Sequence, residues 1–244
     1  NGNTPIYITG SIDSQKCNLF YDLGRKYKTR LIITYNEMKA KEIYEDYIFF
    51  DKNVFLFPAR DLIFFSADIH SNDITAQRLD VIQRLASGEE ITIITTIDGC
   101  LDKLMSLSKY VDNTITINLG DRIDLEQLKL NLVNLGYERA FQVDAKGQFS
   151  VRGGIFDIYS LTEDSAYRIE FWDDEVDSIR YIDIESQRSI DKLDQVTIFP
   201  AVELVMDTEN KNSALTEIKE DFDQYVTTLT KQKDHESINR IKSI

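Results

Sequence analysis

Two stretches of this chain carry residue types that could do chemistry. The first is Gly10-Ser11-Ile12-Asp13-Ser14-Gln15-Lys16-Cys17, where a strand–loop–helix unit would hold a phosphate-binding loop. A working loop reads G-x-x-x-x-G-K-[ST]; its second glycine lets backbone amides close on the phosphates, and its hydroxyl binds Mg²⁺. Gly10 and Lys16 are in register, but Gln15 stands for the glycine and Cys17 for the hydroxyl residue, and Asp13 adds negative charge where phosphate would sit. Downstream, Asp98 follows an apolar run as a single acid, without the Asp-Glu pair of helicase-type ATPases. Two readings stay open: an ordinary βα turn, or a nucleotide-binding fold that has lost its nucleotide. Both predict a non-functional loop, no cofactor, no metal and no ATPase activity in this chain.

The second stretch is richer. In Gln148-Phe149-Ser150-Val151-Arg152, a period of two puts Phe149 and Val151 on one face and Ser150 and Arg152 on the other. In Tyr167-Arg168-Ile169-Glu170-Phe171-Trp172, Arg168, Glu170 and Trp172 share the face opposite Tyr167, Ile169 and Phe171. With the apolar face inward, the only tryptophan in the chain points outward beside an arginine. Exposed Trp next to Arg is the composition of a binding hot spot. The competing reading is a Trp shielded by a loop or neighbouring domain, with Arg168 paired to Glu170 or Asp157. The acids Asp173, Asp174, Glu175 and Asp177 read as a solvated run in and after a turn.

The elements that must position these residues come in two rhythms. Up to about Asp112, strand and helix alternate, as in a parallel α/β sheet. Strands are expected at Ile6–Thr9, Leu31–Tyr35 (apolar throughout, so covered on both faces), Val54–Pro58 and Ile91–Thr95. Helices are expected from Ser14 to Tyr27, after Asn36, and after Asp73 as N-cap up to Gly88. Beyond Asp112 comes a strand at Thr114–Ile117 and a helix capped by Asp124 and ended by Gly136. Short strands then follow without helices between them, near 141–143, 148–152, 155–159, 167–172 and 176–182, with a bulge or kink at Gly153-Gly154. That is a small α+β domain. A helix is expected again from about Ser213 to Thr230. The boundaries fall at 1–112, 113–200 and 201–244, the last a helical segment that either packs back on the first domain or begins a further part of a longer protein.

Composition narrows the partners. The chain has 244 residues, 42% hydrophobic and 29% charged, which suits a globular chain and excludes disorder. No apolar run approaches the roughly 20 residues that span a bilayer, so no membrane partner is expected. The net charge of −14 opposes nucleic-acid binding. Cys17, Cys100, His70 and His235 are isolated, which disfavours a disulfide framework, a zinc site or a triad and suits a reducing cytoplasm. The start lacks a methionine and the end reads as mid-helix, so a piece of a longer protein is expected.

The stretches Gly147–Tyr159, Tyr167–Arg180 and Asp183–Ser189 resemble, in order, the homology module shared by the repair protein UvrB and the bacterial transcription-repair coupling factor (Mfd). Phe57–Leu62 and Asp73–Leu79 are similar to the corresponding coupling-factor segments. The broken loop, and only about 15 residues between Pro58 and Asp73, point to the coupling factor rather than UvrB, which keeps an intact loop and a DNA-gripping hairpin. The resemblance implies a degenerate P-loop, helicase-like parallel sheet domain with an inserted small α+β domain. It implies that the inserted domain binds UvrA, the damage-recognition ATPase, through Arg152, Arg168 and Trp172 (where the family often has Phe). Phe171 is added to that candidate set, although alternation turns it inward. It implies that the translocase motor, with the contacts to RNA polymerase and DNA, lies outside this chain, and that other domains of the whole protein mask the face. Truncating any of the three outward residues is expected to leave the fold intact.

Overall fold

The computed structural model describes residues 7–60, 68–205 and 208–231, with the backbone alone for 13–14, 68–72 and 208–210. The side chain of His70, all of His235, and the Asp61-Leu62 end of one motif lie outside the described residues. The first lobe runs α1 (Asp13–Gly24), β1 (Thr29–Thr34), α2 (Glu37–Tyr47), β2 (Val54–Phe57), α3 (Asp68–Ala86), β3 (Ile91–Thr96), α4 (Ile97–Leu101) and α5 (Leu107–Asp112). Local chemistry sets these limits. The Asn36 side chain accepts from the Lys39 amide at 2.8 Å, and Thr96 and Ser106 cap α4 and α5 in the same way. The strands pair in the order β1–β3–β2, all parallel, with β3 central and buried along its whole length. Cys17, Ala40, Tyr47, Val54 and Ile94 form the core on one face. Phe57, Leu79, Ile82, Ile91, Ile93 and Tyr110 form it on the other.

Three expectations for this lobe need correction. Residues 7–9 form no strand, and Tyr7 and Ile8 are exposed. Among the described residues β1 is a sheet edge covered on one face, with Leu31 and Ile33 more than half exposed. Asp73 is not an N-cap, because α3 begins five residues earlier.

The second lobe opens with β4 (Ile115–Asn118) and α6 (Leu125–Asn134), capped by Asp124 as expected. There follow β5 (Glu138–Arg139), β6 (Gln148–Arg152), β7 (Ile155–Ile158), β8 (Ala166–Trp172), β9 (Glu175–Ile182), β10 (Ser189–Leu193) and β11 (Gln195–Ile198). Six of them make one sheet, ordered β10-β9-β8-β7-β6-β5 and antiparallel except for β5–β6; β11 pairs with β4. The strand expected at 141–143 is displaced to Glu138–Arg139; β10 carries too little alternation to be seen, and β11, which alternates over four residues only, is not among the expected strands. Gly153-Gly154 makes the tight β6–β7 turn rather than a bulge; the register shift falls instead opposite Glu170/Phe171, where Asp177 is the extra residue of β9. One sheet face packs with α6 into a core of Leu128, Leu132, Phe149, Phe156, Ile169 and Phe171 among others.

The lobes are joined by buried polar contacts. Arg78 of α3 is fully buried and donates to Glu203 at 2.7 and 3.0 Å. Tyr110 stacks on Phe199 and donates to the Pro200 carbonyl, and Tyr137 of the second lobe steadies this segment by donating to the Phe199 carbonyl at 2.9 Å. Residues up to Val205 form one compact unit, and 206–244 a second, containing α7 (Thr208–Lys231). No helix among the described residues is long and apolar enough to cross a membrane.

Candidate functional site

The face of the six-stranded sheet turned away from its core carries the chemistry. Alternation in β8 is regular: Tyr167, Ile169 and Phe171 are buried, while Arg168, Glu170 and Trp172 face the other way. In β6, Phe149 is buried inward and Arg152 lies outward; in β7, Phe156 and Ile158 are buried inward around Asp157. Pairing then aligns one row across five strands, Ser150–Asp157–Arg168–Arg180–Lys192.

Two arginines directly opposite on neighbouring strands repel unless each has its own acid. Here they do. Asp157, 1% exposed, accepts from Arg168 Nε at 2.6 Å and Nη2 at 2.8 Å, and from Arg152 Nη2 at 2.8 Å. Arg180 pairs with Glu170, which also accepts from the Ser178 hydroxyl at 2.9 Å. Hydrogen bonding to Asp157 holds the Arg168 guanidinium above the ordinary arginine range, against its partial burial. Within this cluster three arginines stand against two carboxylates, on a chain of net charge −14. Beside them stands Trp172, 81% exposed, at the end of the β8–β9 hairpin. Among the described residues, no loop or neighbouring element shields it.

The structure therefore brings Arg152, Arg168 and Trp172 onto one surface. Phe171 does not join them: it lies in the core, edge-on to Phe156 with ring centroids 5.4 Å apart, and is reassigned as structural. Arg168 is also less expendable than its outward position implied, because its side chain is 15% exposed and anchors a buried carboxylate. Asp157 is the member of the site that alternation alone did not assign. The signal available for it was a lone acid between two apolar residues in β7.

The Gly10–Cys17 segment is arranged otherwise than a phosphate cradle. Gly10 has φ +80°, and α1 starts at Asp13, so Gln15, Lys16 and Cys17 already belong to a helix. Gln15 Oε1 accepts weakly from the Ile12 amide at 3.4 Å. Cys17 is 1% exposed and turned into the core beside the Ile43 carbonyl, where the hydroxyl of a working loop would face Mg²⁺. Among the described residues, no group of three or more His, Cys, Asp or Glu could hold a metal.

Residues 115–204 match the family model of the UvrB interaction domain. Over 193 residues the chain is 38% identical to the transcription-repair-coupling factor of Bacillus subtilis strain 168, covering 78% of this chain and 16% of that protein. It is 32% identical over 225 residues to the protein of the same name from Staphylococcus epidermidis RP62A, covering 91% of this chain and 19% of the relative. The factor of Staphylococcus haemolyticus JCSC1435 gives 32% over 224 residues, with 89% and 19% covered. The chain thus spans less than a fifth of the length of the curated relatives it matches.

Proposed function

With a chain that is a UvrB-homology module of the transcription-repair-coupling-factor kind as the premise, we propose that its β6–β8 face recruits UvrA. The module acts in transcription-coupled repair as a non-catalytic adaptor. Translocation, and contact with RNA polymerase and DNA, belong to other parts of the longer protein. The observation that carries this reading is Trp172, almost wholly exposed next to two arginines pre-aligned on a buried aspartate. An aromatic of this size buries about 150–250 Å² when a partner closes on it. The remaining N–H groups of Arg152 suit bidentate pairing with a carboxylate on that partner, and those of Arg168 Nη1 suit single hydrogen bonds to it. Pre-alignment matters, because Asp157 has already restricted the rotamers that binding would otherwise have to fix.

Trp172→Ala is the cleanest test, since the side chain contributes nothing to the core. Loss of a desolvated anchor costs about 2 kcal/mol or more, which is roughly 30-fold or more in Kd. Calorimetry against UvrA should show that loss with an unchanged melting temperature. Arg152→Ala should weaken binding less, because its side chain is 39% exposed and better screened. Wild-type affinity in Trp172→Ala would refute the reading.

A further inference from the structure

The turn between β9 and β10 contains the motif Asp183-Ile184-Glu185-Ser186-Gln187-Arg188-Ser189, which the binding face so far leaves unexplained. Its backbone is closed on itself. The Gln187 amide donates to the Asp183 carbonyl at 2.8 Å, and the Asp183 amide to the Arg188 carbonyl at 2.9 Å. Asp183 Oδ1 accepts from the Ser186 amide at 2.7 Å and from its hydroxyl at 2.5 Å. Within this closed turn Gln187 has φ +59°, a left-handed conformation uncommon for any residue but glycine and unfavourable for a long side chain.

The Gln187 side chain supplies the reason for a glutamine here. Its Oε1 accepts from Arg168 Nη2 at 2.9 Å, and its Nε2 donates to the Ile184 carbonyl at 2.7 Å. Both ends of the amide are used, so its orientation is fixed: a flipped amide would set donor against donor at Arg168. A guanidinium has five N–H groups. Arg168 gives Nε and one Nη2 hydrogen to Asp157, and the other Nη2 hydrogen to Gln187. None of these bonds uses the two hydrogens of Nη1.

We propose that Gln187 is a positioning residue of the partner-binding face: it fixes the plane of the Arg168 guanidinium so that the Nη1 edge is the one offered to the partner. This rests on the recruitment reading above and assigns the turn its part in that site. Asp157 alone holds Arg168 along one edge, about which the group can still tilt; Gln187, reaching in from a different hairpin, removes that freedom.

Gln187→Gly separates this role from a structural one. Glycine accepts the left-handed backbone at no steric cost, so the turn and the melting temperature should survive while the clamp is lost. The expected affinity for UvrA falls about 3- to 10-fold, the range of one ordinary net hydrogen bond, since Asp157 still holds the Arg168 charge. In ¹⁵N spectra, the resolved Arg168 Nη2 hydrogens of the free chain should merge into exchange-averaged signals. Gln187→Glu keeps the acceptor at Arg168 but sets its second oxygen against the Ile184 carbonyl, so it should restore both in part. On an Arg168→Lys background, Gln187→Gly should cause no further loss, because the group it orients is gone. An equal further loss there, or wild-type affinity in Gln187→Gly while Trp172→Ala has lost binding, would overturn the proposal alone. Wild-type affinity in Trp172→Ala would overturn the recruitment reading and the proposal with it.

Discussion

Glu203→Gln should loosen the junction between the two lobes. Arg78 is fully buried; besides Glu203 it donates to the Pro58 carbonyl at 2.6 Å and lies 4.1 Å over the Phe57 ring. The Glu203 side chain is 2% exposed and also receives Arg60 at 2.9 Å. The amide keeps the volume and one acceptor but removes the charge that neutralises Arg78. Breaking a buried pair by deleting one partner costs about 3–5 kcal/mol. Asp102 remains 3.2 Å from Arg78, and Arg60, 48% exposed, can turn to water. The lower figure, about 3 kcal/mol, therefore applies. At roughly 2–4 °C per kcal/mol for a chain of this size, the melting temperature should fall by about 6–12 °C. Circular dichroism melts measure it. Replacing both partners, Arg78→Met with Glu203→Met, should recover part of the loss, because the buried guanidinium goes with its carboxylate while Asp102 and the Pro58 carbonyl lose Arg78. Burial alone would raise the Glu203 pKa, but the guanidiniums of Arg78 and Arg60 outweigh it and hold the carboxyl below its ordinary value. A depressed folded-state pKa means that this contribution is complete above the unfolded value of about 4.3 and is lost as pH falls through the folded value. Wild type and Glu203→Gln should thus converge in acid. A shift under about 2 °C at neutral pH, where a cost of this size predicts several times more, would refute the reasoning.

Other outcomes follow from the same geometry. Phe171→Ala should destabilise by about 3–5 kcal/mol, read by urea titration, whereas Trp172→Ala should not; equal stability of the two would mean the core face is misassigned. Gly154→Ala should distort the β6–β7 turn, since the new Cβ would sit 2.7 Å from the Phe171 carbonyl oxygen, and β6–β8 amides should lose hydrogen-exchange protection. Millimolar Mg-ATP should leave the melting temperature unchanged; saturation at 100 times Kd would add about 2.7 kcal/mol, so a clear upward shift would contradict the reading of the Gly10–Cys17 loop.

The outward placement of Arg152, Arg168 and Trp172 was legible because β6 and β8 alternate without interruption, and the irregularity nearby falls on β9. The partners of those residues were less so. Period two says which face a residue takes, not which strand lies beside it, so Asp157 stood as one of two candidate acids for Arg168 and its hold on Arg152 went unseen. Gln187 was out of reach, since its role depends on a left-handed backbone in a turn whose residue type argues against one. Arg78 and Glu203 are 125 residues apart and carry no local signal of burial. At Ile6–Thr9 the apolar run outweighed everything else in the reading, yet the described part of it has no strand partner and is exposed.

Because Trp172 is the only tryptophan, a chain labelled with 5-fluorotryptophan gives one ¹⁹F resonance that reports on the centre of the proposed face. In the free chain that line should sit at a solvent-exposed shift and move between H₂O and D₂O, as an 81% exposed side chain requires. On titration with UvrA the account predicts that the line shifts, broadens with the complex and loses its solvent isotope response. A line that keeps its position and isotope response while calorimetry shows UvrA bound would place the contact elsewhere and contradict the account.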